Sequence, residues 1–135
     1  MKRKFLLLFV PAFILYSSFL INNCKAQWIQ RTNGINGTVK ALAVSGTNIF
    51  AGVYLSGAYM STDNGVSWTA AGFNGHVISA FAVSGTNLFA GSDYGVYLST
   101  NNGTNWVGVK TGIGHPLNVK ALAVSGSNIF AAYSD

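Results

Sequence analysis

Residues 43–50 read AVSGTNIF, and nearly the same octapeptide returns as AVSGTNLF at residues 82–89 and as AVSGSNIF at residues 123–130. Each copy begins 39 or 41 residues after the one before it. A second pattern repeats at a similar spacing, because STDNGVSW at residues 61–68 is answered by STNNGTNW at residues 99–106. We call these two segments motif 1 and motif 2. A period of about 40 residues predicts one supersecondary unit that is used repeatedly.

Each repeat has the composition of short strands joined by tight turns. All 16 glycines follow residue 26 and separate short runs of apolar residues, and no stretch keeps a helical period. The first repeat predicts four strands, at residues 39–44, 49–54, 58–62 and 66–70. The second repeat runs likewise from residue 77 to about residue 109, and the third begins at residue 119 and stops within its second strand. Four antiparallel strands in about 40 residues predict an all-β fold made of propeller blades.

The first 26 residues have the three regions of a secretory signal peptide. The three residues after Met1 are basic, an apolar run covers residues 5–21, and the small residues Cys24 and Ala26 follow. We therefore expect cleavage after Ala26 and a secreted, periplasmic or cell-surface location. A membrane anchor is a weaker alternative, because Pro11 and several polar residues interrupt the apolar run. Lipid attachment at Cys24 is weaker still, since asparagines precede it.

The charge balance changes once this leader is removed. The remaining residues include four basic side chains and three aspartates, so their net charge is +1. The basic character of the whole chain therefore does not indicate binding to nucleic acid. The single cysteine also leaves with the leader, which excludes a disulfide and a thiolate metal site in the mature part. We expect no cofactor, no bound metal and no stable membrane insertion after cleavage.

Motifs 1 and 2 have the chemistry of a structural turn. An Asp63 or Asn101 oxygen can accept backbone N–H groups of the turn, and the following glycine supplies a positive φ. Because Asn101 keeps an acceptor oxygen, we expect the turn to survive the loss of the carboxylate. We assign structural roles to eight motif residues: Ser61, Asp63, Gly65, Trp68, Ser99, Asn101, Gly103 and Trp106.

Motif 1 closely resembles the Asp-box, or bacterial neuraminidase repeat, written S-x-D-x-G-x-x-W, and motif 2 departs from it at Asn101. Similar repeats occur in sialidases, some xyloglucan hydrolases, sortilin-type receptors and photosystem II assembly factors. The resemblance implies a β-propeller of four-stranded antiparallel blades. It also implies that the boxes lie on hairpins between the third and fourth strands, away from the ligand face. Since this fold hosts hydrolases, receptors and assembly factors, fold alone does not choose among them.

The repeats predict a division of the chain into a signal peptide and about two and a half blades. The segments are 1–26 (signal peptide), 27–38 (outer strand and link), 39–76 (blade), 77–118 (blade) and 119–135 (partial blade). A propeller ring usually needs four to eight blades. We therefore expect a fragment of a longer protein, with a ring built from several chains as the alternative. Unpaired strand edges predict association of the isolated chain.

The acidic residues are too few for a recognisable glycosidase centre. The mature part has no glutamate, and Arg31 stands apart from any other arginine, although sialidases resemble one another in an arginine cluster. Asp93 beside Tyr94 is the one suggestive pair, and an ordinary polar turn explains it equally well. His76 and His115 occupy corresponding links between repeats, where they are polar loop residues or members of a metal site completed by other blades.

These observations predict a secreted binding or scaffolding protein, not an enzyme, with a protein or carbohydrate ligand at loops carrying His76, Asp93, Tyr94 and His115. The alternative is the N-terminal part of a sialidase-like or xyloglucanase-like hydrolase whose catalytic residues lie outside this chain. Large apolar side chains are expected to pack between blades together with Trp68 and Trp106: Leu42, Val44, Phe50, Phe81, Val83, Phe89, Leu122, Val124 and Phe130.

Overall fold

The computed structural model of the chain describes residues 33–109 and 118–134. The predicted leader, the predicted outer strand before residue 33 and His115 lie outside these ranges. Ten strands are formed: β1 (Val39–Ser45), β2 (Asn48–Val53), β3 (Gly57–Ser61), β4 (Thr69–Ala70), β5 (Ile78–Ser84), β6 (Asn87–Ser92), β7 (Gly95–Ser99), β8 (Val107–Gly108), β9 (Asn118–Ser125) and β10 (Asn128–Ser134).

The strands form three antiparallel sheets that follow the sequence order. The first sheet is β1-β2-β3-β4, the second sheet is β5-β6-β7-β8, and the third sheet is the pair β9-β10. The all-β prediction is therefore confirmed, and so are its four-stranded antiparallel units. The fourth strand of each unit is shorter than predicted. It begins at Thr69 and not at residue 66, because the turn of motif 1 occupies the residues before it.

The repeated octapeptide forms the hairpin between the first two strands of each sheet. Ser45 pairs with Asn48 across a two-residue loop, and Gly46 has φ +60°. Gly85 and Gly126 take the same conformation in the other sheets. Glycine at the first central position is what a type II′ turn requires, and this turn matches the twist of the flanking strands. The constant SG pair thus sets the register of all three sheets.

A β-bulge in the first strand of each sheet was not predicted. The register shifts between Val39 and Ala41, and again between Ile78 and Ala80. Side chains three apart normally point to opposite faces of a strand, but one inserted residue returns them to the same face. Ile78 and Phe81 consequently both point toward the first sheet, where they contact Gly52 and Phe50.

The three sheets stack face to face in sequence order. We call the side of a sheet that points toward the preceding sheet its back face, and the opposite side its forward face. Gly52 on the forward face of β2 lies against Ile78 of the second sheet, and Gly91 lies against Val119 of the third sheet in the same way. Buried Ala58, Ile78 and Ala90 form the core between the first two sheets.

The predicted inter-sheet core is only partly correct. Phe50 is fully buried, and its ring lies 6.3 Å from that of Phe81. Leu42, Val44 and Phe130 are exposed, contrary to the prediction. The physical reason is their direction: Leu42 and Val44 are on the back face of the first sheet, and Phe130 is on the forward face of the third. Neither face has another described sheet beside it.

Candidate functional site

The antiparallel topology separates two kinds of connection. Motifs 1 and 2 connect the third and fourth strands, so they lie at the same end of the sheets as the octapeptide turns. The loops that follow β2 and β6 lie at the opposite end, together with the link from β4 to β5. We call these the motif end and the loop end. His76, Asp93 and Tyr94 all belong to the loop end.

Motif 1 is held by a network in which one serine hydroxyl is central. The buried Ser61 Oγ accepts the Gly65 N–H at 2.8 Å and donates to Asp63 Oδ1 at 2.8 Å. The same Asp63 oxygen accepts the Ser67 N–H at 2.8 Å, and the Ser67 hydroxyl donates to the other oxygen. The carboxylate therefore closes the turn across four residues.

Motif 2 repeats this network with an amide in place of the carboxylate. Ser99 Oγ accepts the Gly103 N–H at 2.8 Å and donates to Asn101 Oδ1 at 3.0 Å. Asn101 Oδ1 accepts the Asn105 N–H at 2.9 Å. Every backbone contact of the turn is thus kept when the negative charge is absent, which supports a structural reading of Asp63.

The two motifs differ in electrostatics. Hydrogen bonds from the Ser67 hydroxyl, the Ser67 N–H and the Ser61 hydroxyl stabilise the ionised form of Asp63 and lower its pKa from 3.8 to about 2. Such a shift marks a group committed to its ionised form near neutrality. A general acid has the opposite requirement, since its pKa must approach the working pH.

Gly103 of motif 2 has a second constraint besides its positive φ. It is buried, and a Cβ placed on it would lie 2.5 Å from the nearest ring carbon of Phe50 in the preceding sheet. Among the described residues, a Cβ on Gly65 of motif 1 would meet the Trp68 ring at an ordinary 3.6 Å. The motif glycine therefore also allows a turn to approach the neighbouring sheet.

Trp106 ties the second sheet to the link that leaves the first. Its indole N–H donates to the Ala71 carbonyl at 2.8 Å, and its ring lies 5.0 Å from that of Phe73. Phe73 in turn packs edge-on against Tyr97 at 4.9 Å. Trp68 has no hydrogen-bond partner for its indole N–H within residues 33–109 and 118–134. Trp106 thus fastens its own sheet to the link that precedes that sheet.

The loop end brings His76 of the link before β5 together with the Asp93–Tyr94 pair of the loop after β6. His76 Nδ1 lies 3.4 Å from Asp93 Oδ1, an ion-pair distance without a hydrogen bond between the two atoms. The Tyr94 ring lies edge-on to the imidazole at 4.8 Å. The imidazole is thus held between a carboxylate and an aromatic ring.

Backbone contacts anchor this cluster to both sheets. The His76 carbonyl accepts the Gly57 N–H of the first sheet at 3.1 Å. One residue later, the Val77 carbonyl accepts the Asp93 N–H, and Asp93 Oδ1 faces the Val77 N–H at 3.4 Å. Asp93 therefore braces the link between sheets, and its carboxylate is directed at His76 and Val77.

The loop end also carries exposed aromatic side chains. Tyr54 and Tyr94 follow the second strands of adjacent sheets, and 49% and 58% of their surfaces are exposed. Leu55, beside Tyr54, is also exposed, and the Lys40 ammonium lies 5.5 Å above the Tyr54 ring. The loop end thus presents two amphipathic rings with a cation and an imidazole close to them.

Within the two described ranges, no three His, Cys, Asp or Glu side chains are close enough to hold a metal ion. No helix long and apolar enough to cross a membrane occurs in those ranges. A cleft of about 420 Å³ lies between the first two sheets near motif 2, lined by Met60, Ala70, Ala71, Gly72, Gly103, Thr104, Asn105 and Trp106. None of these eight lining residues is charged.

Comparison with known proteins adds no assignment, because the chain matches no protein-family model and no curated protein sequence. Sequence reasoning assigned Ser61 and Ser99 structural roles but did not anticipate that their hydroxyls bond both the motif glycine and the acceptor side chain. It also missed Gly52 and Gly91, the glycines at which each sheet approaches the next one closely. Their signal was available, since both follow the repeated octapeptide at the same position.

Proposed function

We propose that this chain is part of a secreted β-propeller repeat protein that binds a ligand without transforming it, and that its loop end carries the binding surface. The propeller is supported by the stacked four-stranded sheets and by a hairpin motif that keeps the same hydrogen bonds in two successive repeats. The loop end is supported by the clustering of His76, Asp93 and Tyr94.

The observation that carries the binding role is the pair of exposed tyrosines in corresponding loops of adjacent sheets, Tyr54 directly after β2 and Tyr94 two residues after the end of β6. Tyr54 and Tyr94 are large rings that the fold does not bury. A tyrosine ring provides an apolar face and a polar tip, a combination that suits binding surfaces. With Lys40 and His76 beside them as hydrogen-bond donors, the rings suit a carbohydrate, whose faces are partly apolar and whose edges are hydroxyls.

A second candidate function is a carbohydrate-active hydrolase with its main catalytic residues outside this chain. The contact between His76 and Asp93 favours it, because an imidazole and a carboxylate, two groups that serve in acid–base catalysis, lie 3.4 Å apart. Against it stands the commitment of Asp93 to the Val77 backbone. Hydrolysis also needs two acids at a substrate, or a tyrosine nucleophile with an acidic partner, in a shared geometry.

Affinity electrophoresis through gels that contain neutral, acidic or sialylated glycans tests the proposal. Retardation by one glycan class is expected, with Tyr54→Ala and Tyr94→Ala each weakening binding by about tenfold. Val66→Ala is the matched control, because Val66 is exposed at the motif end. Binding that survives both tyrosine variants but is lost in the control would move the surface to the motif end. If no glycan binds, the carbohydrate assignment fails.

A further inference from the structure

Five Asn-Gly pairs occur in the sequence, and asparagine followed by glycine is prone to lose its side-chain amide. The pairs begin at Asn33, Asn36, Asn64, Asn74 and Asn102. In this reaction the backbone nitrogen of the glycine attacks Cγ of the asparagine. Glycine favours the attack because it has no side chain to restrict the backbone. The fold decides how freely each pair can reach the required geometry.

Two of the pairs are held within motifs 1 and 2. The Gly65 N–H donates to Ser61 Oγ, and the Gly103 N–H donates to Ser99 Oγ, each at 2.8 Å. Both glycines are buried. The nitrogen that would have to attack is therefore already engaged with a hydroxyl oxygen, and the turn must open locally before it can react.

The pairs that begin at Asn33 and Asn36 are restrained through their carbonyl groups. The Asn33 carbonyl accepts the Trp68 N–H at 3.1 Å, and the Asn36 carbonyl accepts the Ser56 hydroxyl at 3.4 Å. A Cβ placed on Gly34 would also collide with the Trp68 carbonyl oxygen. Rotation of either peptide plane thus breaks a hydrogen bond.

Asn74 and Gly75 have neither kind of restraint. They form the tip of a β-turn that is closed by the His76 N–H and the Phe73 carbonyl at 3.0 Å. Both are exposed, and among residues 33–109 and 118–134 neither the Asn74 carbonyl nor the Gly75 N–H has a hydrogen-bond partner. A Cβ on Gly75 would meet nothing within 4 Å, which is true of no other glycine in the five pairs.

The ends of this turn are fixed while its tip is free to rotate. The Gly72 and His76 carbonyls accept backbone N–H groups of β3 at 2.9 and 3.1 Å. Gly75 has φ +83° and Asn74 does not have a positive φ, as in a type II turn. The peptide between them can turn over toward the type I arrangement without moving the ends of the turn. This rotation changes ψ of Asn74, the angle that carries the Gly75 nitrogen toward the Asn74 side chain.

We propose that Asn74 is a site of spontaneous deamidation, which places a carboxylate in the link at the loop end. The Gly75 nitrogen forms a bond to Asn74 Cγ, and the bond from Cγ to the side-chain nitrogen breaks. That nitrogen leaves as ammonia together with the proton of the Gly75 N–H. Water then opens the five-membered imide at either of its two carbonyl groups. An aspartyl or isoaspartyl residue results at position 74, and the chain gains one negative charge.

The new carboxylate lies two residues from His76, whose imidazole already faces the Asp93 carboxylate at 3.4 Å. The modification therefore makes the loop end more acidic. The isoaspartyl product also lengthens the backbone by one atom, and the open space around Gly75 accommodates this at the tip of the turn. The inference does not depend on the proposed ligand-binding role.

Peptide mapping by mass spectrometry tests the proposal on the full chain, stored at mildly alkaline pH and sampled over time. Chymotrypsin cleaves after aromatic residues and separates Asn64, Asn74 and Asn102 into different peptides. Deamidation at Asn74 is expected to be at least about tenfold faster than at either motif asparagine, since a motif turn must first break a buried hydrogen bond. The product should appear as two peptides of equal mass, one aspartyl and one isoaspartyl. Asn74→Gln should remove both, because glutamine would have to close a larger ring.

The same chain unfolded in urea is the matched control, because every Asn-Gly pair then loses its structure and the three rates should become similar. Ser61→Ala frees the Gly65 N–H and should speed deamidation at Asn64 by about tenfold, while Asn102 keeps its rate. Three outcomes would each overturn the proposal: a rate at Asn74 no higher than at the motif asparagines in the folded chain, an excess at Asn74 that persists undiminished in urea, or no specific rise at Asn64 in Ser61→Ala.

Discussion

Gly91→Ala is a direct test of how closely adjacent sheets approach each other. The backbone of Gly91 does not have a positive φ, so alanine introduces no conformational strain there. Its new Cβ would instead lie 2.5 Å from Val119 Cγ1 and 3.1 Å from Val119 Cβ. Val119 is buried and cannot move into solvent. The second and third sheets must therefore separate, or Val119 must leave its position.

The cost follows from two opposing contributions. Overpacking a filled core costs about 1 to 3 kcal/mol. Replacing a strand glycine by alanine returns about 0.5 to 1 kcal/mol through the lower entropy of the unfolded chain. We expect Gly91→Ala to destabilise the chain by about 1 to 2 kcal/mol. Val119→Ala alone removes two buried methyl groups and should cost about 2 kcal/mol.

The double variant separates this explanation from a general loss of stability. In Gly91→Ala with Val119→Ala, the new methyl group loses the 2.5 Å contact with Val119 Cγ1 and keeps only the 3.1 Å contact with the Cβ at position 119, so the pair should cost little more than Val119→Ala alone. The coupling energy is then about 1 to 2 kcal/mol. Urea unfolding followed by tryptophan fluorescence, at one protein concentration, measures all three variants. Additive costs, to within about 0.5 kcal/mol, would refute the proposed close approach.

The equivalent pair in the preceding interface provides a matched control. A Cβ on Gly52 would lie 2.5 Å from the Ile78 carbonyl oxygen, a backbone atom that no side-chain replacement removes. Gly52→Ala should therefore remain destabilised when Ile78→Ala is added. Gly108→Ala places its Cβ at an ordinary 3.6 Å from the Tyr97 ring and should be neutral or slightly stabilising.

Further predictions concern the motifs, the leader and catalysis. The pKa of Asp63 is lowered on folding to about 2, so the ionised carboxylate stabilises the fold fully above about pH 4, and this stabilisation disappears as the pH falls through 2. Unfolding measured over this pH range should show the loss. Asp63→Asn should remove this pH dependence while keeping the hairpin. Trp106→Ala should cost about 3 to 5 kcal/mol in urea unfolding, and Trp106→Phe less, because it loses chiefly the bond to the Ala71 carbonyl; equal costs would contradict this. Mass spectrometry of exported protein should find Gln27 at the amino terminus, and an intact leader would contradict cleavage. The purified chain should not hydrolyse activated aryl glycosides, and turnover abolished by Asp93→Asn would instead support the hydrolase alternative.

Local sequence patterns were sufficient for the elements whose physics is local. The octapeptide predicts its own hairpin because a two-residue turn needs glycine at one position, and three copies provide it. Motifs 1 and 2 predict a turn closed by an acceptor oxygen, because each hydrogen bond of the turn joins residues no more than four apart. The order of strands within each four-stranded sheet follows from the same short connections.

The tertiary structure alone decided what each face of a sheet contacts. Equivalent side chains such as Phe50 and Phe130 have the same local sequence, yet one is buried and the other exposed, because the second sheet packs against Phe50 and no described sheet packs against Phe130. The bulges that turn Val39 and Leu42 to one face depend on strand register, which a single strand does not reveal. His76, Asp93 and Tyr94 meet because the link and loop of adjacent sheets converge in space, although 17 residues of sequence separate His76 from Asp93.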